Sequence, residues 1–249
     1  MTRSDPTAAS PPVGYGEIVR LFLPLALTST MMSASVPIIN AGLARMPDPT
    51  ANLAAFGIAF TTGILLESPV FSLQQAAVAW YSGRGPVRQL VAYAAIVGCL
   101  ISAYQAVIAF TPLSYHLFRD LLGAEERLAR MAVEALQVSV FFAPFIALRS
   151  VLQGILISRR RAGPIWIGTL LRLSTLTWAA FLWAPGSGLP GPVAGKLCIL
   201  LGVLVETVFV AVALPNTNER SSMATAAHAA GRSWRTRTRF LLPLAGMMV

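Results

Sequence analysis

Of the 249 residues, 55% are hydrophobic and only 12% are charged, about half the ~25% charged residues of an ordinary soluble domain, which argues against a water-soluble globular protein. The net charge of +9 rests almost wholly on arginine, with Lys196 the single lysine. In so apolar a chain that excess marks loops held in the cytoplasm rather than a nucleic-acid footprint, so nucleic acid is excluded as a partner.

Residues 1–17, "MTRSDPTAASPPVGYGE", are polar and proline-rich and are predicted to form a disordered cytoplasmic tail. The apolar run behind them is longer than the 7–15 residues of a secretory signal core, so it is read as a retained span. Leu21–Ala44 runs for 24 residues without Asp, Glu, Lys or Arg, and Gln89–Phe118 for 30. About 20 apolar residues cross a ~30 Å hydrocarbon core. Hydropathy predicts six spans over 18–214, at Ile18–Leu43, Asn52–Trp80, Val87–Thr111, Met131–Ile157, Gly163–Trp183 and Pro192–Leu214. The fold class is therefore an all-α polytopic membrane protein. Breaker-rich turns separate the spans: "RMPDP" at 45–49, "SGRGP" at 82–86, "SRRRAGP" at 158–164 and "APGSGLPGP" at 184–192. The stretch "SYHLFRDLLGAEERLAR" at 114–130 fits an interfacial helix and a plain loop equally well. A basic cytoplasmic loop follows at 215–239, and then a ten-residue apolar run at 240–249, which as a helix reaches only ~15 Å and cannot span.

Arginine placement orients these spans. With the N-terminus inside, the cytoplasmic segments hold Arg3, Arg20, Arg84, Arg88, Arg159, Arg160, Arg161, Arg220, Arg232, Arg235, Arg237 and Arg239, and the outer loops only Arg45, Arg119, Arg127 and Arg130. The expectation is a multi-pass protein of a bacterial inner membrane, in contact with lipid, with its N-terminus in the cytoplasm.

"RLFLPLA" at 20–26 returns as "RFLLPLA" at 239–245, each copy opening an apolar run at the cytoplasmic side. Parallel six-helix repeats joined by a cytoplasmic loop are a common plan of secondary transporters. The chain is thus expected to be one six-helix lobe plus the start of a seventh helix, needing a missing second lobe or a second copy of itself as partner.

Six spans with a repeated opening resemble the multidrug/oligosaccharidyl-lipid/polysaccharide (MOP) exporter superfamily, whose MATE-like members have two six-helix lobes. In detail the chain is most similar to the progressive-ankylosis (ANK) branch. The carriers are "LFLPLALTS…PIINAGLA" and "LAAFGIAF", with Pro24, Asn40, Gly42, Ala44 and Gly57 in matching places, and "GILISRRR" after the fourth span. The resemblance implies a secondary exporter working by alternating access, with organic anions as candidate small-molecule substrates. Many MATE exporters carry an acidic residue in the first span; here no Asp or Glu occurs from Ile18 to Ala44. A cation-coupled multidrug exporter or a lipid-linked glycan flippase is the alternative within transport. A non-transporting scaffold or an inactive gene fragment is the alternative outside it.

Ionisable residues within spans carry the sharpest functional signal, because each costs ~2.5–3.5 kcal/mol at mid-membrane unless paired or hydrated. Glu67, Arg149, Arg172 and Glu206 are the candidates for a substrate or ion pathway. They are equally readable as two packing ion pairs, Glu206–Arg172 and Glu67–Arg149. Lys196, at the outer end of span six, is expected to snorkel to the interface, which makes Arg172→Ala the more harmful change of the two. Pro24, Pro69 and Pro144 are candidate kinks, with Pro69 expected to open a turn beside Glu67.

No enzyme chemistry is expected. "GPVAGKL" at 191–197 lacks the spacing and the hydroxyl of a phosphate loop. Cys99 and Cys198 are read as packing residues, and His116 and His228 carry no ligand spacing, so no catalytic residue, metal or cofactor is predicted.

Overall fold

A computed structural model describes residues 23, 26–81, 87–159, 161 and 163–214. The predicted tail at 1–17, Pro24, the basic loop at 215–239 and the run at 240–249 lie outside them. Every regular element among the described residues is helical. Residues 26–33 are helical and lead into α1 (Ser35–Leu43), followed by α2 (Pro49–Trp80), α3 (Val87–Phe110) and the short α4 (Pro112–His116). A π-helical turn at Leu117–Leu121 connects to α5 (Glu126–Ser139), α6 (Phe142–Ser158) and α7 (Gly163–Trp178). α7 runs on through a π-helical turn at Ala179–Trp183, and α8 (Gly191–Ala213) closes the series.

Four helical segments are long and apolar enough to cross a membrane, and α5 with α6, bent by 46°, adds a fifth when the pair is counted as one span. Spans two, three, five and six begin and end within three residues of their predicted bounds. Span four does not. It was expected as one helix over Met131–Ile157, yet α5 starts at Glu126 and the helix breaks at Val140–Phe141. The stretch at 114–130 is neither of the two alternatives whole: it holds the end of α4, a π turn, a short loop and the first turn of α5.

Proline and serine together explain the bend. Pro144 has no N–H for the carbonyl four residues back, which is Val140, and the Ser102 hydroxyl of α3 donates to that oxygen instead. The same device keeps α2 whole at Pro69. The carbonyl Pro69 leaves free is that of Leu65, and the Ser68 hydroxyl donates to it at 2.9 Å. The carbonyl that Pro69 frees beside Glu67 is thus satisfied within α2, which stays helical through this turn. Ser102→Ala should lower stability by about 1–3 kcal/mol, because it strands a buried carbonyl. Thermal unfolding in detergent, compared with Ser68→Ala, reads this.

α6 packs along both α2 and α3, α7 packs along α8, and α1 lies on α7 and α8. Small residues set the spacing, as in membrane helix pairs generally. Gly154 of α6 meets α2 where an added Cβ would stand 2.7 Å from Gln74 O, and Gly98 of α3 would meet the Pro144 Cα at 2.7 Å. The face of α5 formed by Ala129, Ala132, Ala135 and Leu136 packs with Ala55 and Ala59 of α2. Large apolar side chains instead point outward, such as Leu100, Val107 and Phe110 on α3 and Val208 and Val212 on α8. Cys198 is buried in the core as a packing residue, but Cys99 is exposed on α3.

The ends of the spans gather in two layers. Asp48, at φ 55° before α2, pairs with Arg127 at 2.7 Å. Arg45 lies 4.5 Å from the Phe181 ring. At the opposite end Arg159 donates to the Tyr81 hydroxyl at 2.9 Å, and the Ser158 hydroxyl to Val78 O at 3.3 Å. Segments assigned to one side of the membrane by their arginines thus meet one another.

Candidate functional site

Glu206 lies in the middle of α8, fully buried, and four side chains converge on it. Its Oε2 receives Arg149 Nη1 at 3.0 Å and stands 3.7 Å from Arg172 Nη1. Its Oε1 receives Gln153 Nε2 at 3.1 Å and the Thr169 hydroxyl at 3.1 Å. Helical spacing produces this focus. Arg149 and Gln153 are four apart on α6, and Thr169 and Arg172 three apart on α7, so each pair shares a face. Arg172 Nη2 also donates to Ser35 Oγ at 3.2 Å, tying α1 to the cluster. Two guanidinium groups therefore share one carboxylate, leaving one positive charge in excess among the described residues. The Nε atoms of Arg149 and Arg172 are buried without a hydrogen-bond partner among the described residues.

Glu67 belongs to a second cluster. Its Oε1 accepts from Gln105 Nε2 of α3 at 3.4 Å, and it attracts the ammonium of Lys196. Lys196 is 3% exposed. Its Nζ lies 5.4 Å from the centres of both the Phe60 and the Phe142 rings. It also stands 2.9 Å from where a Cβ on Gly63 would be, with Ser139 Oγ 3.3 Å from the same point.

This geometry confirms the Arg172–Glu206 pairing and overturns the other. Arg149 serves Glu206, because both face the α6–α8 contact, while Glu67 faces α3 and Lys196. The expected snorkelling of Lys196 also fails. Gly195 packs on Phe56, yet the ammonium sits at Gly63, seven residues or ~10 Å farther along α2 from the outer end. The side chain reaches into the bilayer toward a carboxylate instead of out toward water. Lys196→Ala is therefore not the mild change its place near a helix end implied.

The family model of the progressive ankylosis protein (ANKH) matches residues 8–170, more than half of the chain. The chain belongs to the progressive ankylosis protein family. No curated protein sequence matches this ANKH-family chain. Solved structures do share its fold. A MATE in complex with MaD3S aligns at TM-score 0.65 and 20% identity, covering 93% of this chain and 53% of that one. A MATE in the bent conformation aligns at TM-score 0.64 and 19% identity, covering 83% and 46%. A MOP superfamily transporter from Pyrococcus furiosus, described as having a binding pocket of reverse polarity that suggests a different function, aligns at 0.57 and 20%, covering 82% and 45%. The ANKH-family chain spans about half the length of these structures.

Sequence reasoning on the ANKH-family chain singled out Glu67, Arg149, Arg172 and Glu206 but set Lys196 aside as a snorkelling residue, and it found none of the neutral members. Gln153, Thr169, Gln105 and Ser139 are polar residues in apolar helices, at helical spacing from a charge or on a facing helix. Spacing alone was a usable signal for Gln153, one turn from Arg149, and for Thr169, three residues before Arg172.

Proposed function

We propose that residues 18–214 form the first lobe of a secondary exporter of organic anions that works by alternating access. In this reading 1–17 is a cytoplasmic tail, 215–239 an inter-lobe loop and 240–249 the start of a second lobe. The N-terminus is cytoplasmic, in a bacterial inner membrane, and a second lobe or a second copy supplies the other wall of the cavity. One observation carries the choice of anions: Arg149 and Arg172 share the single carboxylate of Glu206, so a buried cationic excess with spare N–H donors stands between helices of a transporter fold. An anion is the ligand that such an excess attracts. That a structural relative is described by the reverse polarity of its binding pocket supports reading polarity as variable on this fold.

Proteoliposomes of the full-length gene product should show organic-anion flux that Arg149→Gln or Arg172→Gln lowers at least tenfold. Export of cationic dyes or lipid-linked glycans instead would support the alternative transporters. Absence of flux across anions, dyes and lipids would support the scaffold.

Orientation has its own test. Cysteines placed at 159–161, on a Cys99→Ser background, should be labelled only from the cytoplasm, and one at Ser187 only from outside. Reversed labelling overturns the orientation.

A further inference from the structure

Two buried polar atoms have no hydrogen-bond partner among the described residues: Gln105 Oε1, on the amide that donates to Glu67, and Ser139 Oγ, beside the Gly63 turn where the Lys196 ammonium lies. Gln105 is 1% exposed and Ser139 is fully buried. Both stand next to the only Glu–Lys couple among the buried groups described, and an orphaned buried acceptor costs ~1–3 kcal/mol if it stays so. Water and protons are the ligands that would satisfy them. A hydroxyl, an amide and two opposite charges enclosed by four helices supply the two to four polar contacts a buried water makes.

We propose that Glu67, Gln105, Ser139 and Lys196 form a hydrated proton-binding site in which Glu67 carries the exchangeable proton, set against the break in span four. Gln105 suits both states of the carboxyl. Its amide nitrogen donates to the carboxylate as found, at 3.4 Å. Rotating the amide half a turn presents Oε1 to the O–H of the protonated acid. The step is one proton moving from hydronium in the entering water to a Glu67 oxygen, leaving water behind and the Lys196 ammonium without its counter-charge. Gly63, one turn before Glu67, lacks the Cβ that would stand 2.9 Å from the ammonium and so holds its seat open. The charged groups facing Glu67 are few. α8 gives Lys196 and α3 the neutral Gln105; the neutral Ser139 of α5 lies beside Gly63 and the Phe142 ring of α6 beside Lys196, while Glu206 stands ten residues, or ~15 Å, farther along α8 than Lys196.

The site also touches the bend. Ser139 ends α5 and Phe142 begins α6, and the Lys196 ammonium is beside both. Protonating Glu67 therefore changes the charge opposite an ammonium that lies between α2, α8 and the break.

This inference goes beyond the transport reading, and its readout needs no transport. The 249-residue chain in nanodiscs is titrated with infrared difference spectroscopy in the carboxylic-acid C=O region. Acidification should bring up a band that is missing in Glu67→Gln. In Lys196→Met the same band should appear at a pH at least one unit higher, because loss of the ammonium favours the neutral acid. Gly63→Ala should shift it in the same direction by less. Circular dichroism confirms the fold of each variant, and should Glu67→Gln not fold, the Lys196→Met shift decides. A band unchanged in Glu67→Gln, an unshifted midpoint in Lys196→Met, or no band in the folded wild type overturns the proposal.

Discussion

Glu206→Ala should be the most damaging single substitution in the described part of the chain, lowering stability by about 3–5 kcal/mol. Removing one partner of a buried ion pair leaves the other charge without compensation, and here one deletion strands two guanidinium groups together. Arg149 and Arg172 are 4% and 7% exposed, so neither reaches bulk water by a small rotation. Gln153 Nε2 loses its acceptor as well, and the Thr169 hydroxyl is left with Ile165 O alone. Glu206→Gln keeps an acceptor for those two donors but not the charge, and should fall between wild type and alanine. The exposed Arg130–Glu126 pair, four apart on α5, is the control, because solvent screening leaves such a pair almost without effect on stability. Reactivity of the buried Cys198 thiol on heating, with exposed Cys99 replaced by serine, measures the transition. A melting temperature for Glu206→Ala equal to that of wild type would mean that the arginines are already solvated.

The second arginine alters the double-mutant expectation. Two partners alone would predict that Arg172→Ala with Glu206→Ala recovers most of the stability lost in the single mutants. Because Arg149 also rests on Glu206, that double mutant still strands a charge, and recovery needs a third change such as Arg149→Met. Coupling energies among the three should therefore not reduce to a sum of pairs.

How far the sequence reveals this molecule depends on what each signal encodes. Hydropathy reports where the chain leaves the membrane, so the ends of spans two, three, five and six were legible to within a few residues. It is blind to direction within the membrane. Val140–Phe141 is as apolar as its surroundings, and the break there comes from Pro144 together with a hydroxyl on another helix, Ser102. The charges were legible for the same reason, since Glu67, Arg149, Arg172 and Glu206 interrupt apolar runs. Their partners were not, because pairing depends on which faces meet across helix contacts. Lys196 shows the limit most clearly. Its position in the chain locates a Cα near a helix end, whereas its ammonium follows the field of Glu67 and the gap at Gly63.

The same Gly→Ala substitution should have opposite signs at two glycines of this fold. At Gly154 an added Cβ would stand 2.7 Å from both Gln74 O and the Ala77 Cβ, and 3.3 Å from Val78 N. Two of these are backbone atoms of α2, which cannot swing aside as a side-chain tip can, so α6 and α2 must part. Overpacking of this kind costs about 1–3 kcal/mol. It falls on a contact where the single Ser158 O–H lies within reach of two acceptors, Val78 O at 3.3 Å and Gly154 O at 3.0 Å. At Gly57 nothing lies within 4 Å of the added carbon, the position is helical and exposed, and alanine removes the backbone freedom of glycine. Stability there should rise by about 0.5–1 kcal/mol. Thermal unfolding of the two variants in one detergent reads the difference directly, with Gly154→Ala melting below wild type and Gly57→Ala above it. If Gly154→Ala melted at or above wild type, the close approach of α2 and α6 at this point would be refuted, and with it the seam that holds the bent span against its neighbour.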